Sequence, residues 1–205
     1  MTLAAFLSVV LIHLAAAISP GPSFVVALRV AAAEGFRVAA ALALGFGCGA
    51  LLWATAAMAG LALVFELVPP LFLALKFIGA AFLIYLAVQM WRHAATPMAQ
   101  PDASAAPRSA LQAIRFGFLT FASNPKPAVF FGAVFVNLVP AATPLGWKAA
   151  MLLAVFVNET LWYLVVARLF SLPRPRAAYA RAKAWIDRGF GTLLALLGLK
   201  IALTS

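Results

Sequence analysis

Two long apolar stretches, residues 3–33 and 110–138, each carry a pair of prolines one residue apart near the middle. The pairs lie in Pro20-Gly21-Pro22 and in Asn124-Pro125-Lys126-Pro127. As a straight helix the first stretch would be about 45 Å long at 1.5 Å per residue, well over the roughly 30 Å hydrocarbon core of a bilayer. Proline has no N–H and pushes the preceding residue out of the α region. Each pair therefore interrupts its helix, and the carbonyls expected to lose their partners are those of Ala16 and Ile18 in the first stretch and of Phe121 and Ser123 in the second. In hydrocarbon such groups cost several kcal/mol, so a broken helix is tolerated where it lines a polar cavity.

Composition identifies the solvent as hydrocarbon. Of 205 residues, 66% are hydrophobic and 10% charged, against about half and a quarter in a soluble chain. So few charges cannot cover a water-facing surface. The expected fold is all-α: a polytopic transmembrane bundle forming one domain. Six apolar stretches stand out, at about 3–33, 38–65, 71–91, 110–138, 147–170 and 186–203. The longest polar linker, 92–109, separates halves of about 1–91 and 110–205, and 171–188 reads as a basic loop ahead of a short sixth span. Ala15-Ala16-Ala17 hints at a signal-peptide cleavage site, but Met1-Thr2-Leu3 carries no Lys or Arg, so the first span is expected to be retained.

The formal net charge is +10, from 15 Lys+Arg and 5 Asp+Glu. Eleven of those cations, including Arg29, Arg37, Arg92 and the cluster from Arg174 to Arg188, follow odd-numbered spans, whereas Lys76, Lys148 and Lys200 lie on the other side. The positive-inside rule then puts the odd loops in the cytoplasm and both termini outside. No basic run is interleaved with aromatic residues as nucleic-acid binding would need, so no nucleic-acid partner is expected. The basic segment 174–188 suits anionic lipid headgroups. A lone Cys48 and two histidines, His13 and His93, supply no disulfide, redox centre or metal cluster. No cofactor is expected.

A shift of 105 positions lays Pro20 on Pro125 and Pro22 on Pro127. With three spans per half, the second half enters from the opposite side, which makes an inverted 3+3 repeat with broken helices one and four meeting near the midplane. That arrangement points to a substrate site in secondary transporters. Gly45, Gly47 and Gly49 lie in an apolar run with no preceding strand, so they read as a helix-packing face and not a phosphate loop. That face is one through which two copies could form a homodimer.

Several motifs, in order, carry a resemblance. They are Ser19-Pro20-Gly21-Pro22, Glu34-Gly35-Phe36-Arg37, Lys76-Phe77-Ile78-Gly79 with Tyr85-Leu86, Asn124-Pro125-Lys126 before Phe130-Phe131, and Ile186-Asp187-Arg188-Gly189-Phe190-Gly191. Together they resemble the LysE-type family of bacterial amino-acid exporters, in its homoserine/threonine-resistance (RhtB) branch. The chain departs from the family at Phe135-Val136-Asn137, where a proline is common, and at Asn158-Glu159, where a small acidic residue is usual. Those differences bear on substrate preference. The resemblance implies a multi-pass protein of the bacterial cytoplasmic (inner) membrane. Its activity would be efflux of amino acids or related small metabolites, driven by the proton gradient.

The chemistry of the two breaks suits a zwitterion. The helices that restart at Ser23-Phe24 and at Ala128-Val129 should offer N–H groups to a carboxylate, and Lys126 adds a full charge. The freed carbonyls should accept from an ammonium. The expected substrate-binding residues are therefore Ser19, Pro20, Gly21, Pro22, Ser23, Ser123, Asn124, Pro125, Lys126 and Pro127. Lys126 and Glu159 each cost about 2.5 to 3.5 kcal/mol at mid-bilayer unless paired or wet. Glu159 is expected to carry the proton or to partner the ammonium, with a structural ion pair to Lys126 as the alternative. His13 is expected to be hydrogen-bonded within the bundle, and Trp162 to line the cavity. An integral membrane enzyme acting on lipid-like substrate would need clustered acid–base groups, which five scattered acidic residues do not supply. A passive small-solute channel is the other alternative.

Overall fold

The computed structural model describes residues 1–61, 77, 80, 81, 84, 85, 87–96, 107–135, 138–140 and 142–203, and these residues are helical apart from short connections. Helix α1 runs Leu3–Ile18, started by the Thr2 hydroxyl accepting from Ala5 N–H at 3.2 Å. Pro20 ends it by forcing Ser19 to ψ 120°. Helix α2, Pro22–Glu34, restarts with Pro22 in its first turn, where a missing N–H costs nothing. The bend between the two is 61°. Gly35 then turns the chain at φ 84°, a left-handed value that favours glycine, and α3 follows over Phe36–Ala56. It continues as a π-helical turn over Ala57–Leu61.

The second half repeats the interruption. Helix α4, Ala110–Ala122, opens on a reciprocal capping box between Ser109 and Gln112. It stops at Ser123, and α5 occupies Pro125–Val129, followed by a π-helical segment over Phe130–Phe135. Helix α6 spans Leu145–Phe170, and α7 spans Pro173–Leu203. That last range corrects one expectation. Residues 173–188 are not a loop but the first half of a helix 31 residues long, because Pro173 and Pro175 sit in its opening turns, where proline is tolerated. The helix also runs through Gly189 and Gly191 without a break.

Among the described residues two helices are long and apolar enough to cross a membrane, Phe36–Ala59 and Leu145–Phe170. They become three if the bent pair Leu3–Ile18 and Pro22–Glu34 counts as one span. Ala110–Ala122 is apolar but shorter. Most of the expected third span, 71–91, with Lys76 and much of its Lys76–Leu86 motif, lies outside the described residues, as do much of the linker 92–109 and the side chain of Lys200.

Helix α3 is the hub. Its Leu42, Ala43, Phe46, Ala50 and Ala54 are essentially without exposed surface, and its glycines set the closeness of packing. A Cβ on Gly45 would collide with the Ile114 carbonyl and one on Gly117 with the Leu42 carbonyl, so α3 and α4 cross backbone to backbone. Gly47 faces Thr160 and Phe156 of α6, and Gly49 faces Phe121 of α4. All three glycines are thus spent inside one chain, as small-residue packing in lipid allows, and do not form a free face for a second copy. Outward sides carry the opposite pattern. On α6, Leu153, Val157, Leu161, Val165 and Leu169 recur every four residues and are exposed, while Val155, Glu159, Tyr163 and Val166 are buried. Leu3, Leu7 and Leu11 form the same stripe on α1. Such stripes suit lipid. The end of α2 is tied to the start of α4 by Glu34, which pairs with the Arg108 guanidinium and accepts from its backbone N–H at 2.7 Å.

Candidate binding site between the two helix breaks

The two proline breaks meet. The Lys126 ammonium donates to the Ser19 carbonyl, and the Asn124 amide donates to the Ser23 hydroxyl at 2.7 Å. Gly21 is at φ −163°, extended backbone open to any residue, so it is glycine for space: a Cβ there would lie 2.9 Å from Lys126 Cδ.

A cavity of about 30 Å³ sits at this junction. Ala16 and Ala17 of α1, Ser23 of α2, and Asn124, Lys126 and Pro127 of the second break wall it on one side. His13, Phe130, Phe131, Glu159 and Tyr163 complete the lining. Helix periodicity accounts for the grouping, since His13 and Ala17 are one turn apart on α1, and Glu159 and Tyr163 one turn apart on α6.

Glu159 is buried, and its partner is His13, whose Nε2 lies 3.5 Å from Glu159 Oε2. On the other side of the ring, His13 Nδ1 lies 3.4 Å from the Asn158 amide nitrogen, which also donates to the Val10 carbonyl at 3.0 Å. An amide nitrogen only donates, so Nδ1 accepts and the imidazole proton sits on Nε2, facing the carboxylate. The ring packs against Phe130 and Phe131, with centroids 5.6 Å away in each case. The expected alternative for Glu159, a direct ion pair with Lys126, is not what forms, because the Lys126 ammonium is seated on the Ser19 carbonyl.

Several expectations for the breaks need correction. Ser123 is exposed and its hydroxyl donates back to the Leu119 carbonyl at 2.6 Å, so it does not reach the cavity. The Phe121 carbonyl is not free; it accepts from Asn124 N–H at 3.1 Å. The carbonyl that takes a cation is Ser19's, one residue beyond Ile18. The restarted helix α5 offers few open donors either. Pro125, which begins it, and Pro127 have no N–H, Lys126 N–H goes to the Asn124 side chain at 3.0 Å, and Ala128 N–H goes to the Asn124 carbonyl at 3.5 Å. Asn124 caps the helix where a substrate carboxylate was expected, so the donors on this side are the side chains of Lys126 and Asn124. Pro20 and Pro22 face a second cavity on the far side of the first break, and Gly21 lines both. Trp162 is not among the lining residues; its indole N–H is buried without a partner among the described residues. Two buried hydroxyls, Ser19 Oγ and Thr160 Oγ1, also have no partner there. Among the described residues no group of His, Cys, Asp and Glu is arranged to hold a metal.

His13 and Tyr163 were not among the expected binding residues. Their signal was helix phase: each stands four residues from a position that faces the break, Ala17 and Glu159.

Comparison with known proteins gives this geometry a context. The family model for the LysE type translocator matches residues 14–205. The chain is 34% identical over 208 residues to the "Threonine efflux protein" of Escherichia coli (strain K12), covering 97% of this chain and 98% of that protein. It is 31% identical over 203 residues to the protein of the same name from Salmonella typhi, with the same coverage of 97% and 98%. The "Chemotactic transduction protein ChpE" of Pseudomonas aeruginosa is 40% identical over 136 residues, 64% of each chain. No solved structure matches the chain.

Proposed function

The chain belongs to the LysE type translocator family, and on that premise we propose that it exports amino acids from the cytoplasm through the junction of its two helix breaks. The observation that carries the reading is the Lys126 ammonium resting on the Ser19 carbonyl. One break contributes a primary ammonium and the other an acceptor for one, and an amino acid brings both a carboxylate and an ammonium. In the bound state the solute's ammonium takes the Ser19 carbonyl and approaches Glu159, while Lys126 swings to the solute's carboxylate. The Asn124 amide and the Ser19 and Ser23 hydroxyls supply further polar contacts. Buried in a low-dielectric surround, these charge-assisted bonds favour a zwitterion over a neutral solute.

The cavity of about 30 Å³ holds roughly one water, whereas a small-molecule site is about 300 Å³ or more. The junction therefore opens and closes around its cargo. Two halves related as an inverted repeat, rocking about the breaks, would expose it to each side in turn. The arginine-rich end of the bundle, with Arg29, Arg37 and the basic first half of α7, faces the cytoplasm, which puts both termini outside the inner membrane, and anionic lipids lie against that end. Glu159 carries the coupling proton, and once that proton has left, the His13 Nε2–H facing its carboxylate steadies the charge. Because relatives covering nearly the whole chain are named for threonine efflux, L-threonine is the first solute to try.

The test is flux from proteoliposomes loaded with labelled L-threonine and a panel of other amino acids, with and without an imposed pH gradient. The expected result is saturable efflux and counterflow, faster when protons can move inward. Glu159→Gln should keep exchange and lose the acceleration. No flux above that of empty liposomes overturns the exporter reading. Flux that never saturates and shows no counterflow makes the protein a channel, and a Glu159→Gln variant with full pH stimulation removes that residue from the coupling.

A further inference from the structure

The larger cavity has no role in the foregoing account. It measures about 390 Å³, within the range of small-molecule sites, and lies between α2, the helical residues 87–93 and the first half of α7. Its floor is the break itself, Pro20, Gly21 and Pro22, and Gly21 is shared with the central cavity. A solute resting there is therefore one residue's thickness from the junction, with the Lys126 stem packed on the other side of Gly21. The cavity stands at the end of the bundle where Arg29 and the basic half of α7 lie.

The polar lining is divided between groups already committed and groups still open. Lys183 spends its three donors on the carbonyls of His93 and Ala94, at 2.8 and 3.3 Å, and on Asp187 Oδ2 at 2.7 Å. It fastens α7 to the end of helix 87–93 and has nothing left for a ligand. His93 Nδ1 is bonded to the Gln89 carbonyl at 2.9 Å. Arg29, by contrast, lines the cavity, is exposed, and has no carboxylate partner among the described residues. Asp187 is nearly buried, and one of its two oxygens is uncommitted among the described residues. Phe24, Val25, Leu28 and Met90 supply apolar wall between them. The charge of the lining, with Lys183 and Asp187 cancelling, is that of one guanidinium, whose planar fork matches a carboxylate.

We propose that this cavity is a second amino-acid site, a loading vestibule in which Arg29 takes the carboxylate and Asp187 the ammonium before the solute passes Gly21 to the central junction. The inference rests on the exporter reading for its choice of ligand, and it separates the residues that capture the solute from those that translocate it.

Protection of an introduced thiol reads this site without relying on transport. In the full-length protein with Cys48→Ser and Val25→Cys, the thiol stands on the cavity wall one helical turn from Arg29. L-Threonine should slow its alkylation by a maleimide, and the amino alcohol of threonine, which lacks the carboxylate, should not. Arg29→Gln should raise the half-protecting concentration about tenfold, the loss of one charge-assisted contact partly open to water, and Arg29→Lys should recover part of it. Lys126→Met should leave protection within about twofold of the parent. Protection unaffected by Arg29→Gln, or abolished equally by Lys126→Met, overturns the second site. Counterflow of labelled threonine is measured on the same preparation. Counterflow without protection refutes the vestibule and leaves the exporter reading standing. Protection without counterflow does the reverse, and the absence of both refutes both.

Discussion

The two breaks share a sequence pattern and differ in almost everything they do. At the first, nothing caps the restarted helix: Gly21 contributes no side chain, and the break leaves the Ser19 carbonyl to accept a cation. At the second, Asn124 closes the gap by capping α5 through its side chain and by accepting from Ala128 through its carbonyl. The first break is thus an acceptor with room beside it, and the second is a rigid mount for an ammonium and an amide that reach across. Paired interruptions in a repeat need not be equivalent. A self-satisfied break holds a charge in place, and an open one gives that charge somewhere to go.

This division of labour can be broken by substitution. The largest effect is expected at Lys126. Lys126→Met leaves the break intact but removes its only charge, and threonine counterflow should fall by about a hundredfold or more, the scale of losing a buried charged partner. Next comes Gly21→Val, which fills the space used by the Lys126 stem. Flux should drop about tenfold while the protein still inserts, because the obstacle met is a flexible side chain and not backbone. Asn124→Ala should act mainly on stability, since it removes a cap worth about 0.5 to 2 kcal/mol and leaves the buried Ser23 hydroxyl with Tyr163 as its remaining side-chain partner. A lowered thermal midpoint in detergent, with flux reduced only a few-fold, would support the mounting role. Ser123→Ala should change neither flux nor stability beyond about twofold and 0.5 kcal/mol, as for a surface position. A large loss there would restore Ser123 to the site and undo the contrast between the breaks.

Much of this was legible in the chain. Proline chemistry placed the first interruption at Pro20-Gly21-Pro22, because a missing N–H acts locally and needs no tertiary context. The second falls earlier than expected, at Ser123-Asn124, since Pro125 and Pro127 lie inside the restarted helix and not before it. The glycine spacing in α3 identified a packing face, though not its partners: a self-associating surface and an internal one read alike until Gly117 is seen across from Gly45. The His13–Glu159 pair was out of reach, since its members are far apart in sequence and only the crossing of α1 with α6 joins them. The expectation for Ser123 failed because a serine in a last helical turn can bond back to the carbonyl four residues earlier, and sequence does not decide between that and a cavity. The 173–188 segment misled through its prolines, which mark a helix start as readily as a loop. Neither π-helical segment has a sequence mark, yet one of them brings Phe130 and Phe131 to the cavity.

The adjacency of the two breaks is the claim on which the site, its cargo and its motion all depend, and it can be measured in membranes. With Cys48→Ser as background, Ser23→Cys and Asn124→Cys together put two thiols at positions whose side chains now touch at 2.7 Å. Mild oxidation should join them within one chain, arrest threonine counterflow, and release it again on reduction. Two thiols that stay free under oxidation while both react with maleimide would mean that the breaks do not meet.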